Sequence, residues 1–192
     1  MSTWLTSDTH SHHHNVIRYC NRPFSSTEEM RDTIVKNWNR VVKPDDIIWH
    51  LGDVSLGTIE ETTSFVSQLS GRKRLIMGNH DHRICPENWE KIGFELVLSG
   101  AKIRHGKNSI NLSHYPYSPG WKDILKAWYK KYDMRQLRNR FKNDGSWLVH
   151  GHTHNTWGKT RDKMINVSTD VWDFTPVSYK KILQIIAKGG SL

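Results

Sequence analysis

Short apolar runs that stop at polar, turn-forming residues recur through the first eighty positions. Trp4-Leu5 leads into Ser7-Asp8, Ile47-Ile48-Trp49-His50-Leu51 stops at Gly52-Asp53, and Arg74-Leu75-Ile76-Met77 stops at Gly78-Asn79-His80-Asp81. Runs of this length bounded by turn signals read as buried strands whose ends carry carboxylates. Between them lie two segments with helical spacing and start signals. Ser26 with Glu29 precedes Met30, Ile34, Trp38 and Val41, and Thr58 with Glu61 precedes Phe65, Val66 and Leu69, with Gly71 closing the segment. The pattern predicts a β-α-β-α-β opening. Pro86 and Gly93 bracket a short third helix, after which strands are expected at 95–98, 101–105 and 109–113. A helical segment over 121–142, broken at Asp133, is followed by strands at 147–150, 163–167 and 177–187. This order predicts an α/β fold in which two sheets form an α/β/β/α sandwich.

Composition narrows the class. At 192 residues the chain reads as one domain spanning 1–192. Two cysteines cannot make a disulfide framework, and no apolar run is long enough for a membrane span. The first fourteen residues lack the basic and apolar regions of a signal peptide, so the expectation is a cytoplasmic protein in a reducing compartment. A net charge of +9 calls for an anionic partner, and 12 histidines are a surplus that needs an explanation.

Most of that surplus falls at predicted strand ends, the edge where α/β folds place their ligands. In chain order these ends carry Asp8 and His10, Asp53, Asn79 and His80, His114, and His152 and His154. The set offers oxygen and imidazole without thiolate and is spread over five loops, the pattern of a catalytic metal site rather than a structural zinc knuckle. Alternation in Asp8-Thr9-His10 and in His152-Thr153-His154 is expected to bring two donors of one extended segment to neighbouring positions.

These residues fall in five ordered motifs: Ser-Asp-Thr-His (7–10), Gly-Asp (52–53), Gly-Asn-His-Asp (78–81), Ser-His-Tyr-Pro (113–116) and Gly-His-Thr-His (151–154). In this the sequence resembles the calcineurin-like metallophosphoesterases. It is similar in particular to small bacterial and phage-type members, whose first motif runs on to positions matched by His13 and Asn15, and the run Arg18-Tyr19-Cys20-Asn21-Arg22-Pro23-Phe24 continues the likeness. The resemblance implies two divalent metal ions, one held by Asp8, His10, Asp53 and His154 and the other by Asp53, Asn79, His114 and His152, with Asp53 shared. Such a pair would supply hydroxide as nucleophile for in-line attack on a phosphoester. His80 would be the catalytic residue that stabilises or protonates the leaving oxygen. Manganese is the expected ion, with iron, zinc or nickel as alternatives that this donor set does not separate.

Two departures bear on substrate and mechanism. Where the protein Ser/Thr phosphatase branch continues its second motif with an Asp-Arg pair, this chain reads Val54-Ser55-Leu56-Gly57, which disfavours a protein phosphatase and leaves open what orients His80. Ser11-His12 stands where the small members carry an aromatic residue followed by glycine. His13 and His82 read equally as phosphate contacts and as loop residues, His12 and His14 as solvated, and His50, His105 and His150 as structural. Cys20 and Cys85 read as ordinary thiols.

The segment 121–142 carries eight basic residues against two acidic ones, so +6 of the chain's +9 lies there. Trp121, Leu125, Trp128 and Tyr132 have helical spacing. The segment reads either as a basic cap, with Arg135 and Arg138 as substrate contacts, or as a solvated helix face. The leading function is hydrolysis of phosphodiesters of nucleotide or single-stranded nucleic-acid type. A small-molecule phosphomonoesterase and a non-catalytic nucleic-acid-binding module are the competing readings. No membrane partner is expected, and nothing in the sequence sets an oligomeric state.

Overall fold

The computed structural model describes residues 1–106, 108–117 and 140–191. Among the described residues, ten strands form two five-stranded sheets. The first contains β1 (Thr3–Thr6), β2 (Ile47–His50), β3 (Arg72–Ile76) and β4 (Phe94–Leu98), all parallel, with β10 (Val177–Ser178) antiparallel to β1 at one edge. The second runs in the order β5 (Ala101–His105), β6 (Asn108–Leu112), β7 (Trp147–His150), β9 (Met164–Asn166) and β8 (Thr160–Arg161), its three central strands parallel.

Strand alternation sorts the apolar side chains into layers. Ile48 and Leu75 point from the first sheet towards the helices, into a core with Met30, Ile34 and Trp38 of α2 (Thr27–Val41), Phe65 and Val66 of α3 (Ile59–Ser67), and Trp89 of α4 (Pro86–Ile92). Their neighbours Leu5, Trp49 and Ile76 point the other way and meet Ile110, Leu112, Val149 and Ile165 of the second sheet. Tyr117, Leu148 and Met164, with Phe141 and Trp157, lie on that sheet's far side. The predicted cap lies outside the described residues except for Arg140, Phe141 and Lys142, and Arg135 and Arg138 are among those not described.

The helix starts behave as their side chains dictate. Thr58 and Glu61 make a full capping box, whereas at Ser26 only half of one forms: its hydroxyl accepts from Glu29 N, while the Glu29 carboxylate turns to Ser25. The C-terminal element differs from expectation. The strand expected over 177–187 is only two residues long, and α5 (Tyr179–Ala187) follows. Ser178 caps it by accepting from Lys181 N, and Ile182 and Ile185, one turn apart, bury into the between-sheet core. Isoleucine favours strands, but here burial on a 3.6-residue period outweighs that weak preference. A short helix, α1 (His14–Tyr19), was also not anticipated. No helix among the described residues is long and apolar enough to cross a membrane.

Candidate metal centre

The strand-end loops converge where the two sheets meet. A parallel bridge joins Ser7, just beyond β1, to Ser168, just beyond β9, so the two sheets are stitched together next to Asp8. The backbone there is unusual. Asp8 (φ 58°), His10 (50°), Asp53 (58°), His152 (68°) and His154 (46°) are all left-handed. For residues with a Cβ this costs about 1–2 kcal/mol each, so surrounding bonds must hold them there. The alternation expected to present Asp8 with His10, and His152 with His154, is therefore corrected. These pairs are brought together by left-handed turns and not by extended strand.

One group of donors comprises Asp8, His10 and His154. Asp8 is fully buried, and its carboxylate accepts from His152 N (2.9 Å) and Ser168 Oγ (2.8 Å). His154 Nε2 lies 3.8 Å from Asp8 Oδ1, and its other nitrogen, Nδ1, is 2.9 Å from Asp170 Oδ2. His10 Nε2 is 3.9 Å from Asp8 Oδ1 and 3.5 Å from Asp53 Oδ2, and it is buried without a hydrogen-bond partner among the described residues.

The second group comprises Asp53, His114 and His152. His114 donates Nδ1–H to Leu51 O at 2.7 Å, which leaves Nε2 facing Asp53 Oδ2 (3.4 Å), Asn79 Oδ1 (3.1 Å) and His152 Nδ1 (3.2 Å). Asp53 touches both groups. Its other oxygen accepts from His80 N at 2.9 Å, and the His80 ring, 38% exposed, comes to 3.9 Å from Asp53 Oδ2.

Burial would raise both carboxyls, but the histidines around them hold Asp8 and Asp53 below the usual carboxylate range. Burial opposes protonation of His154 and His114 too. Asp8 and the Asp170 hydrogen bond nevertheless raise His154 to about 11, and Asp53 raises His114 to about 9. Burial wins at His10 and His152, each pulled down to about 3. At neutral pH the centre thus balances two carboxylates with two protons, one in each group.

This arrangement fits divalent cations. Asp53 Oδ2, Asn79 Oδ1 and His152 Nδ1 each come within 3.1–3.4 Å of His114 Nε2, and the orphaned His10 Nε2 points at two carboxylates. A shared proton or a cation is what reconciles such groups. The donors are all oxygen or imidazole nitrogen, a set suited to manganese, iron or zinc.

Of the remaining sequence candidates, His13 comes in: its Nδ1 is 3.4 Å from His10 Nδ1, and its ring centre is 6.1 Å from that of His80. Asn15 and His82 are exposed, and among the described residues neither joins these contacts. His12, read as solvated, is half-buried between Ser55 Oγ (3.3 Å) and Arg31 Nη1 (3.0 Å). His50 and His150 are structural as expected: His50 Nε2 bonds Thr9 Oγ1 at 2.9 Å, and His150 Nδ1 bonds Gly151 O at 2.8 Å. Burial lowers each to about 4.

What orients His80 includes its backbone bond to Asp53 and a T-shaped contact with the His10 ring, their centres 5.3 Å apart. Beside it opens a cavity of about 150 Å³ lined by Ser55, Gly57, Thr58, His80 and Arg83. Sequence reasoning passed over Asp81, although it ends the Gly-Asn-His-Asp motif. Fully buried, Asp81 accepts from Asp53 N (2.7 Å), Gly78 N (2.8 Å) and Val54 N (3.0 Å), and so ties two of the converging loops together. Burial, and after it the charge of Asp53, pushes its carboxyl up to about 6.

Two sandwiched, largely parallel sheets with carboxylates, an amide and imidazoles gathered at their joined ends define an α/β protein built around a cluster of oxygen and imidazole donors. The family described as calcineurin-like phosphoesterase superfamily domain matches residues 1–169, and the chain belongs to that superfamily. It is 34% identical over 194 residues to an uncharacterized protein of Methanocaldococcus jannaschii, covering 97% of this chain and 92% of that one. It is 33% identical to the gene 66 protein of Mycobacterium phage L5, covering 89% and 87%. The crystal structure of a protein of unknown function from Aquifex aeolicus is similar over 96% of this chain and 98% of that one, with 27% identity and a TM-score of 0.68.

Proposed function

We propose that this protein hydrolyses phosphodiesters of nucleotide or nucleic-acid type in a divalent-metal-dependent reaction. The observation that carries the reading is the approach of His10 Nε2 and His114 Nε2 to the same oxygen of Asp53, at 3.5 and 3.4 Å, beside the partly exposed ring of His80. Asp8, His10, Asp53 and His154 would hold one ion, and Asp53, Asn79, His114 and His152 the other, with manganese the first choice. Such ions supply an activated water nucleophile and neutralise charge on the phosphoryl oxygens.

The chain's own groups do the rest. The His80 ring is partly exposed, with its backbone held by Asp53, and from there it can give a proton to the leaving oxygen. The adjoining cavity accommodates the leaving group. His13, beside both His10 and His80, supplies a hydrogen bond to a phosphoryl oxygen. The basic segment 121–142, with Arg135 and Arg138, draws in an anionic substrate, and its charge is what favours a diester of nucleic-acid type.

The test is turnover of bis-p-nitrophenyl phosphate and p-nitrophenyl phosphate with added manganese. The diester is expected to be the faster substrate, and Asp53→Ala and His114→Ala are each expected to abolish its turnover. Retained metal-dependent activity in both variants refutes the site. A faster monoester makes the protein a phosphomonoesterase.

A further inference from the structure

The run of residues 18–24 has no part in the chemistry above, yet it wraps behind one half of the centre. Arg22 is buried, with its guanidinium spent on four groups. Nε and Nη2 hold the two oxygens of Asp170 at 2.8 and 2.9 Å, a bidentate pair whose side chains are 0% and 2% exposed. Nη2 also donates to Asp8 O at 2.7 Å, and Nη1 donates to Thr9 O at 3.0 Å and to Met30 Sδ at 3.2 Å. Phe174 backs the guanidinium, 5.7 Å from its carbon, and packs edge-on against Phe24 at 4.7 Å.

The ligand geometry follows from these contacts. Asp170 Oδ2 receives the Nδ1–H of His154, so the nitrogen left to meet a cation is Nε2, which faces Asp8. The carbonyls of Asp8 and Thr9 are the main-chain groups of the turn that holds Asp8 and His10 left-handed. A single guanidinium thereby braces the carriers of all three donors of one group. Cys20 and Asn155 add to the same seam: the Cys20 carbonyl accepts from Asn155 Nδ2 at 2.7 Å, beside His154. Two donors of the other group are braced elsewhere, His114 by Leu51 O and Asp53 by Asp81 through the backbone, with neither Arg22 nor Asp170 among their contacts in the described residues; the third, His152, meets the first group through its N–H on the Asp8 carboxylate.

We propose that Arg22 and Asp170 are a positioning pair dedicated to one of the two cation positions, that of Asp8, His10 and His154, and that they set its occupancy separately from the other. This rests on the metal-dependent reading of the site. Two variants test it. Asp170→Asn keeps the shape and removes the charge that receives His154 Nδ1–H. Arg22→Lys keeps the charge but offers one nitrogen where a fork is needed to reach a carboxylate and two carbonyls at once.

The full chain, stripped with chelator, is titrated with Mn²⁺ by calorimetry, and the loaded protein is read by electron paramagnetic resonance. Wild type is expected to bind two ions per chain. Each variant is expected to bind one ion at wild-type affinity and the second 10- to 100-fold more weakly. The spectrum then changes from that of a coupled pair to that of an isolated Mn²⁺. Two ions at wild-type affinity in both variants overturn the proposal. So does equal weakening of both positions together with a lowered melting temperature, which is the mark of a general packing role. A wild-type protein that binds no Mn²⁺ overturns the metal-dependent reading itself, and the two failures are told apart by that first titration.

Discussion

Replacing Gly151 by alanine puts one methyl group where the centre has no room. An ideal Cβ there falls onto Ser7 Oγ, 2.5 Å from Asp8 Oδ2 and 2.7 Å from Ser7 Cβ, and both residues are completely buried. Ordinary contact needs about 3.4 Å or more, so Asp8 and the end of β1 must move by close to 1 Å. Overpacking of this kind costs about 1–3 kcal/mol. Moving Asp8 also strains its bonds from His152 N and Ser168 Oγ, and hydrogen bonds to a charged group contribute about 1.5–3 kcal/mol each. Loss of one of them brings the total to about 3–6 kcal/mol.

For a chain of this size each kcal/mol lowers the melting temperature by about 2–4 °C, so a fall of roughly 6–24 °C is expected. A misplacement of 1 Å in the reacting geometry costs about 100-fold in kcat. Gly158→Ala is the matched control, because nothing among the described residues lies within 4 Å of its new Cβ and its backbone is not left-handed. Thermal melting followed by circular dichroism and manganese-dependent diester turnover measure both effects. A Gly151→Ala protein that melts and turns over like Gly158→Ala would show that the close approach of Gly151 to Asp8 is not needed.

Three further outcomes are expected. His80→Asn should lower kcat by about 10²–10⁴-fold while calorimetry finds Mn²⁺ binding unchanged; lost binding would make His80 a ligand instead. His50 and His150 titrate near 4 in the fold and near 6.5 when unfolded, so between these values the unfolded chain binds more protons. Their contribution is present above pH 6.5 and is lost as pH falls towards 4, at about 1.4 kcal/mol per histidine per pH unit, opposed in part by Asp81, whose raised carboxyl binds its proton more readily in the fold. Denaturant melts at pH 6.5 and 5 check this through the double variant His50→Gln/His150→Gln, which should be less pH-dependent. Finally, His114 (about 9) and His154 (about 11) must each give up a proton to a cation, so Mn²⁺ affinity at each position should rise about tenfold per pH unit from pH 6.5 to 8.5. A flat calorimetric profile would contradict that proton count.

The elements that read correctly from the chain are those whose signals are local. Apolar runs ending at Asp8, Asp53 and Asn79-His80 mark strand ends because burial and turn chemistry act over a few residues, and the Thr58–Glu61 box marks a helix start for the same reason. The misreading at 177–187 is of the same kind, since Ile182 and Ile185 suit a strand or a helix until the core they pack against is known.

By itself the sequence therefore determined the order of most of the elements, the donor types, and their place at strand ends. The tertiary structure decided how those donors are held. Left-handed backbone at Asp8, His10, Asp53, His152 and His154 has no composition signal, because it is stabilised by partners far along the chain. His152 N reaches Asp8 across 144 residues, Ser168 reaches it across 160, and Arg22 reaches Asp170 across 148. Asp81 joins the loops of Asp53 and Gly78 by backbone bonds that any carboxylate of suitable reach could make. Periodicity reports which side of an element is buried. Which buried group then satisfies which other depends on distances that only the packed chain contains.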